Sequence, residues 1–244
     1  MTSITLDGNE SIVTTSWDDG HRKDLEVAKL LEKHNLPGTF YIAPESALIN
    51  KDERLSRREI VSIGKRFEVG GHTRTHPDLS RLPAAEATSE ISSGREILEE
   101  ITGKKITSFC YPYGAYNEET PLLLNNLGFS FARTVEQFKY DIEDPLSAGT
   151  TVHCLSHHYK NRRAITLLRA AGFDPVKAWR CLDWDMLAKT LFDTCRNKGG
   201  IFHLWGHSWE IDERNDWDRL DEVLSYISNH EDVTYVTNAF FGRK

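Results

Sequence analysis

Along the chain, short apolar or β-branched runs alternate with longer stretches in which apolar residues recur every three to four positions, the pattern of βαβ units around a parallel sheet. The runs predict strands at 12–17, 39–43, 67–71, 107–111, 129–134, 150–155, 200–205 and 233–236. The first is followed by Asp24 as a helix N-cap and by Leu25, Ala28 and Leu31 on one helical face, with Pro37-Gly38 ending the unit. Further helices are predicted at 56–66, 83–102, 118–127, 183–197 and 217–228. The stretches 136–149 and 157–175 follow neither period and read as loops over one end of the fold. Seven or eight such units predict an α/β architecture, a distorted (β/α) barrel with about seven βα repeats. An open doubly wound sheet is the second choice.

Length agrees with this reading, because 244 residues without repeat, low-complexity tract or linker make one domain over 1–244. Thirty basic residues against 37 acidic ones give a net charge of −7, which argues against a nucleic-acid partner. No apolar run reaches the roughly 18 residues of a spanning helix. The opening MTSITLDGNES carries acidic residues where a secretory signal carries a basic patch and an apolar core, so a cytoplasmic protein without a transmembrane segment is expected. Cys110, Cys154, Cys181 and Cys195 form no CxxC pair and read as buried thiols of a reducing compartment. Oligomeric state leaves no mark on the pattern.

Candidate chemistry clusters just after the predicted strands, where parallel α/β folds build their sites. Asp18 and Asp19 follow the first strand, His72 and His76 the third, Tyr111-Pro112-Tyr113-Gly114 the fourth. Arg133 ends the fifth, His157 and His158 follow the sixth, and Trp205 and His207 lie at the seventh. Adjacent carboxylates face opposite sides of a regular strand, so Asp18 and Asp19 share a site only if the chain turns, as Gly20 allows. Read alone, Asp-Asp-Gly is more readily a turn signal than a catalytic pair. His72 and His76, four apart, can share one metal ion if the segment turns like a single helical coil, which Pro77 then stops. With an Asp from another strand they make three N and O ligands and leave a position for water, the pattern of a catalytic zinc site. His207 is a candidate general acid, and the tryptophans beside it are candidate apolar walls for a sugar. His203, on the same strand parity but deeper, reads as a core histidine.

The segments Thr14-Thr15-Ser16-Trp17-Asp18-Asp19-Gly20, Gly71-His72-Thr73-Arg74-Thr75-His76-Pro77 and Phe109-Cys110-Tyr111-Pro112-Tyr113-Gly114 resemble those of the polysaccharide deacetylase superfamily, the NodB homology domain of carbohydrate esterase family 4. The resemblance implies a distorted barrel and a divalent metal, most simply Zn2+, on Asp19, His72 and His76. It also implies Asp18 as catalytic base, His207 as acid, and backbone around Tyr111 holding the oxyanion. Tyr111, Tyr113, Arg133 and Trp205 are the expected substrate and oxyanion residues. The implied activity is removal of an N-acetyl or related acyl group from a carbohydrate or amino-sugar precursor. Hydrolysis of another C–N bond, such as a formamide or ureide, and a catalytically silent carbohydrate-binding barrel are the alternatives. Three departures stand out. Cys110 occupies a position where the family often has an Arg that holds the catalytic Asp, leaving Arg133 or Arg74 as substitutes. Asp183-Trp184-Asp185 has the letters of the family's Asp-and-Trp motif but opens a predicted helix. Gly206 separates the last apolar run from His207.

Overall fold

The computed structural model describes residues 10–155, 165, 166, 168, 169, 172 and 174–242. Eight strands appear there within two residues of their predicted ends: β1 (Ser11–Asp19), β2 (Thr39–Ile42), β3 (Glu68–Gly71), β4 (Ser108–Cys110), β5 (Phe131–Arg133), β6 (Val152–His153), β7 (Gly200–Gly206) and β8 (Val233–Tyr235). The helices are α1 (Asp24–Lys33), α2 (Arg57–Arg66), α3 (Ala84–Thr102), α4 (Thr120–Asn126), α5 (Pro175–Arg180), α6 (Trp184–Lys198), α7 (Ser208–Glu213) and α8 (Trp217–Ile227). The six-residue α5 and α7 were not expected, since under two turns show no usable period. No helix among the described residues is long and apolar enough to cross a membrane.

All strand pairs are parallel, and the order β5-β4-β3-β2-β1-β7-β6 is chain order around a curled sheet left open between β5 and β6. This is the distorted barrel; a doubly wound sheet would reverse direction at a switch point. The predicted loop 136–149 has no strand of its own but helps bridge the gap. Ala148 N–H donates to the Ala132 carbonyl (2.9 Å) and Thr134 N–H to the Ala148 carbonyl (2.8 Å). The other predicted loop, 157–175, with His157 and His158, falls largely outside the described residues. Strand β8 pairs with the first residues of β1, Ser11 to Val13, below the stretch that β2 occupies.

Outside the barrel, Val27 and Leu31 of α1, Ile60 and Ile63 of α2, and Leu187, Leu191 and Phe192 of α6 join one continuous apolar core. The barrel interior is polar. Thr14 donates to Asn238 Oδ1 (2.7 Å), Asn238 to the Tyr41 hydroxyl (2.9 Å), and Ser16 pairs with His203 Nε2 (2.8 Å). His203 is thus the core histidine the sequence indicated, held well below its ordinary pKa by burial and by Arg133. Asp24 departs from expectation: it is the first residue of α1, and its fully buried carboxylate accepts from Ser208 Oγ (2.6 Å) without capping the helix. Register then sets the site, because Asp19 lies beside Ile42, Ile42 beside Gly71, Cys110 beside Arg133 and His153 beside Trp205. The carboxyl ends of the strands share one rim.

Candidate active site

Asp18 and Asp19 leave β1 by a turn that starts one residue before Gly20. Asp19 has φ 82° and Gly20 φ 77°, so both carboxylates reach the rim although strand geometry alone would part them. A side chain at Gly20 would meet Ile42 Cγ2 at 2.7 Å, so only glycine fits there. Asp18 accepts a hydrogen bond from the fully buried Arg133 guanidinium. Arg133 stands beside Cys110 across β4 and β5, so the cation missing at Cys110 is supplied from the neighbouring strand. Arg74, the other substitute, pairs instead with Glu45 and Glu90. The Cys110 thiol is buried 3.7 Å from Asp18 Oδ2.

Asp19, His72 and His76 converge. Asp19 Oδ1 is 3.4 Å from His72 Nε2 and 3.3 Å from His76 Nε2. This oxygen is buried and makes no well-formed hydrogen bond. The spacings exceed the roughly 2.7–2.9 Å of charge-assisted hydrogen bonds. They equal the edge of about 3.3 Å between ligands of a tetrahedral ion bonded at about 2.0–2.1 Å. One carboxylate and two imidazoles are also a fitting donor set for zinc, so these residues suit the implied divalent cation. Burial favours the neutral form of Asp19, yet the His72, His76 and His207 imidazoles outweigh it and hold the carboxyl well below its usual range.

The histidine pair does not sit on the helical coil expected from its spacing. Thr73 (φ 64°) and His76 (φ 68°) are left-handed, a strained conformation for a β-branched threonine. Helix α3 imposes it. Glu90 accepts the Arg74 and Thr75 N–H groups (3.1 and 2.9 Å) and the Thr75 hydroxyl (3.1 Å). Gly94 lies so close that a Cβ would stand 2.5 Å from the Thr73 carbonyl. Thr73 Oγ1 accepts the His76 N–H (3.0 Å), and the Cys110 carbonyl fixes His72 through Nδ1 (2.7 Å). Glu90 and Gly94, four apart on one helical face, were visible in the sequence, but nothing there said what they face.

On the other side, His207 follows β7 directly and brings Nε2 to 3.9 Å from Asp19 Oδ2. Burial opposes its charge, but the Glu210 hydrogen bond (2.7 Å) and the Asp19 and Asp18 carboxylates push it up to about 9. Glu210 and His153, 3.0 Å apart, were not singled out by the sequence. Neither was the role of Trp209, whose indole N–H donates to Asp19 Oδ2 at 2.9 Å.

Three of the four expected substrate residues are reassigned by burial. Arg133 is fully enclosed and serves Asp18. Trp205, 4% exposed, is sandwiched into the interior by His153 and Arg133, and Tyr111 is buried with its hydroxyl on the Leu146 carbonyl. The Tyr111 N–H is also spent, on the Arg133 carbonyl at 3.2 Å, so it is not an oxyanion donor. Tyr113 alone stands at the surface, 56% exposed, with its ring edge-on to His76 (4.7 Å) and φ 58° turning its backbone at the rim. Asp183 and Trp184 do open a helix, α6, as read from the sequence.

The polysaccharide deacetylase family model matches residues 5–132, more than half of the chain. The peptidoglycan-N-acetylmuramic acid deacetylase PdaC of Bacillus subtilis is 29% identical over 117 residues, 47% of this chain and 24% of that protein. A chitin deacetylase of Pestalotiopsis sp. is 25% identical over 189 residues, 68% of this chain and 62% of that protein. The chain therefore spans less than two thirds of either relative. A solved structure of a PdaC variant is 20% identical with a TM-score of 0.57, covering 97% of this chain and 92% of that one, a likeness of fold. The matched stretch contains Asp18, Asp19, His72, His76 and Tyr113 and stops one residue before Arg133. His153, His207 and Glu210 lie beyond it.

Proposed function

The chain belongs to the polysaccharide deacetylase family, and from that premise we propose that it is a metal-dependent hydrolase removing an N-acetyl or related acyl group from a carbohydrate or amino-sugar precursor in the cytoplasm. The observation that carries this reading is the Asp19 oxygen buried between two imidazole nitrogens at 3.3 and 3.4 Å, with a second carboxylate, Asp18, beside it.

Asp19, His72 and His76 hold the cation, most simply zinc, which when bound supplies Lewis-acid activation of water and of the substrate carbonyl. Asp18, aimed by its ion pair with Arg133, takes the proton of the attacking water as general base. His207 gives a proton from Nε2 to the departing amine. The left-handed turn at Tyr113 makes its backbone N–H the candidate donor to the oxyanion, and its exposed ring a wall for a sugar face.

Metal analysis of protein purified without added metal, paired with acetate and formate release from a panel of N-acyl sugars, tests the reading. A single equivalent of divalent metal with acetate release is expected. Formate release alone would reassign the acyl group, and bound metal with no release from any substrate would favour a silent sugar-binding barrel. A protein that holds no divalent metal would overturn the site assignment.

A further inference from the structure

His207 reaches the site on an extended, unstrained backbone (φ −115°, ψ 128°), so the main chain does not dictate where its ring points. Side chains do. Glu210, three residues on, takes the Nδ1 hydrogen bond on Oε2 at 2.7 Å, and the same oxygen lies 3.0 Å from His153 Nε2. His153 in turn lies flat on Trp205, ring centroids 3.9 Å apart and planes 8° from parallel, and the Trp205 ring also carries the Arg133 guanidinium at 4.6 Å. His153 and Trp205 are both buried, so neither ring has room to turn. With Nδ1 committed to Glu210, Nε2 is left facing Asp19.

We propose that Glu210 is the positioning residue of His207, and that His153, locked against Trp205, holds Glu210 to that task. An imidazole passes a proton only from the nitrogen that faces the acceptor. A carboxylate on the other nitrogen fixes the ring and its tautomer, and outer partners of this kind are worth about 10- to 100-fold in activity. Within the trio the His207 Nδ1–Glu210 separation of 2.7 Å is that of a hydrogen bond, and His153 Nε2 stands 3.0 Å from the same oxygen as an ion-pair contact, both shorter than the edge of about 3.3 Å seen at Asp19. The catalytic side of the proposal rests on the deacylase reading; the geometric side does not.

The test uses the full chain loaded with zinc, an oligomer of N-acetylglucosamine as substrate, and two variants. Glu210→Gln keeps the shape but removes the negative charge that both imidazoles face. It is expected to lower kcat about 10- to 100-fold with KM within about twofold and zinc content unchanged. His153→Phe keeps the stack on Trp205 and should lower kcat about 3- to 10-fold with the same signature. A readout independent of turnover is the His207 Nδ1–H resonance of the metal-free protein. It should be downfield and slowly exchanging in the parent, and should move upfield and exchange faster in Glu210→Gln. Unchanged kcat, a rise confined to KM, loss of a second zinc equivalent, or an unmoved resonance would each overturn the proposal. A parent that cleaves no N-acyl sugar would count against the deacylase reading alone, while the resonance would still judge Glu210.

Discussion

His76 and His207 face the two oxygens of one carboxylate, Asp19, yet the chain holds them by opposite means. His76 is held by its backbone, through two left-handed residues in four, clamped by Glu90 and Gly94 of a neighbouring helix. His207 has a relaxed backbone and a ring fixed by Glu210 and His153. The difference suits the proposed tasks. A metal ligand works best when its donor atom is in place before the ion arrives, which a clamped main chain provides. A proton donor needs a fixed ring whose charge can change, which a carboxylate partner provides.

The largest effect should come from exchanging the two histidines for alanine in separate variants. His76→Ala is expected to lose the metal and all measurable acetate release. His207→Ala should keep the metal and lose about two to four orders of magnitude in kcat, the usual weight of an acid or base. Metal loss in both would make His207 a fourth ligand and erase the contrast.

Asp18 lies between the two sides, paired with an arginine from inside the barrel. Arg133→Met leaves that carboxylate buried without its cation and should cost about 3–5 kcal/mol in denaturant unfolding. Adding Asp18→Asn should recover part of the loss, whereas no recovery would mean that the stack on Trp205, not the charge, was what mattered. The backbone clamp is probed more gently by Gly94→Ala. Its Cβ would press on the Thr73 carbonyl and should cost about 1–3 kcal/mol, with zinc affinity falling while the His207 Nδ1–H resonance stays put. A resonance that moves would show the two sides to be mechanically joined.

The smallest effect separates site histidines from the barrel's own. His203 is held well below its ordinary pKa, so the unfolded chain binds the proton more readily. Stability should therefore fall as pH drops below about 6.5, the unfolded value, and continue falling until the lower folded pKa is passed. His203→Gln should flatten that part of the profile in thermal melts at matched ionic strength.

Legibility followed the same division. The Asp-Asp-Gly turn, the histidine pair and the strand ends beneath them are contiguous in sequence, so period and spacing located them to within two residues. The spacing did not reveal the loop's conformation, because the strain at Thr73 comes from a helix that begins eleven residues later. Arg133 is one of the two substitutes the sequence names for the missing cation, but Glu210 and His153 act from two different segments. Their pairing depends on register between strands, and a lone Glu or His carries no local sign of it. Trp205 misled as a sugar wall because aromatic character is the same whether a ring faces solvent or stacks on a buried cation.

The polar floor of the barrel has a consequence for how the molecule is made. Strand β1 is synthesised before the other strands of the barrel, whereas β7 and β8 beside it and Asn238 beneath it follow after β2 to β6. Until they arrive, Thr14, Tyr41 and Thr39 lack the partner that Asn238 supplies, and one flank of β1 has no strand beside it. Closure is thus a late, long-range event with the slow kinetics such topology brings. A chain cut just before Val233 would leave the ribosome with the residues of its proposed metal site complete and its barrel unfinished.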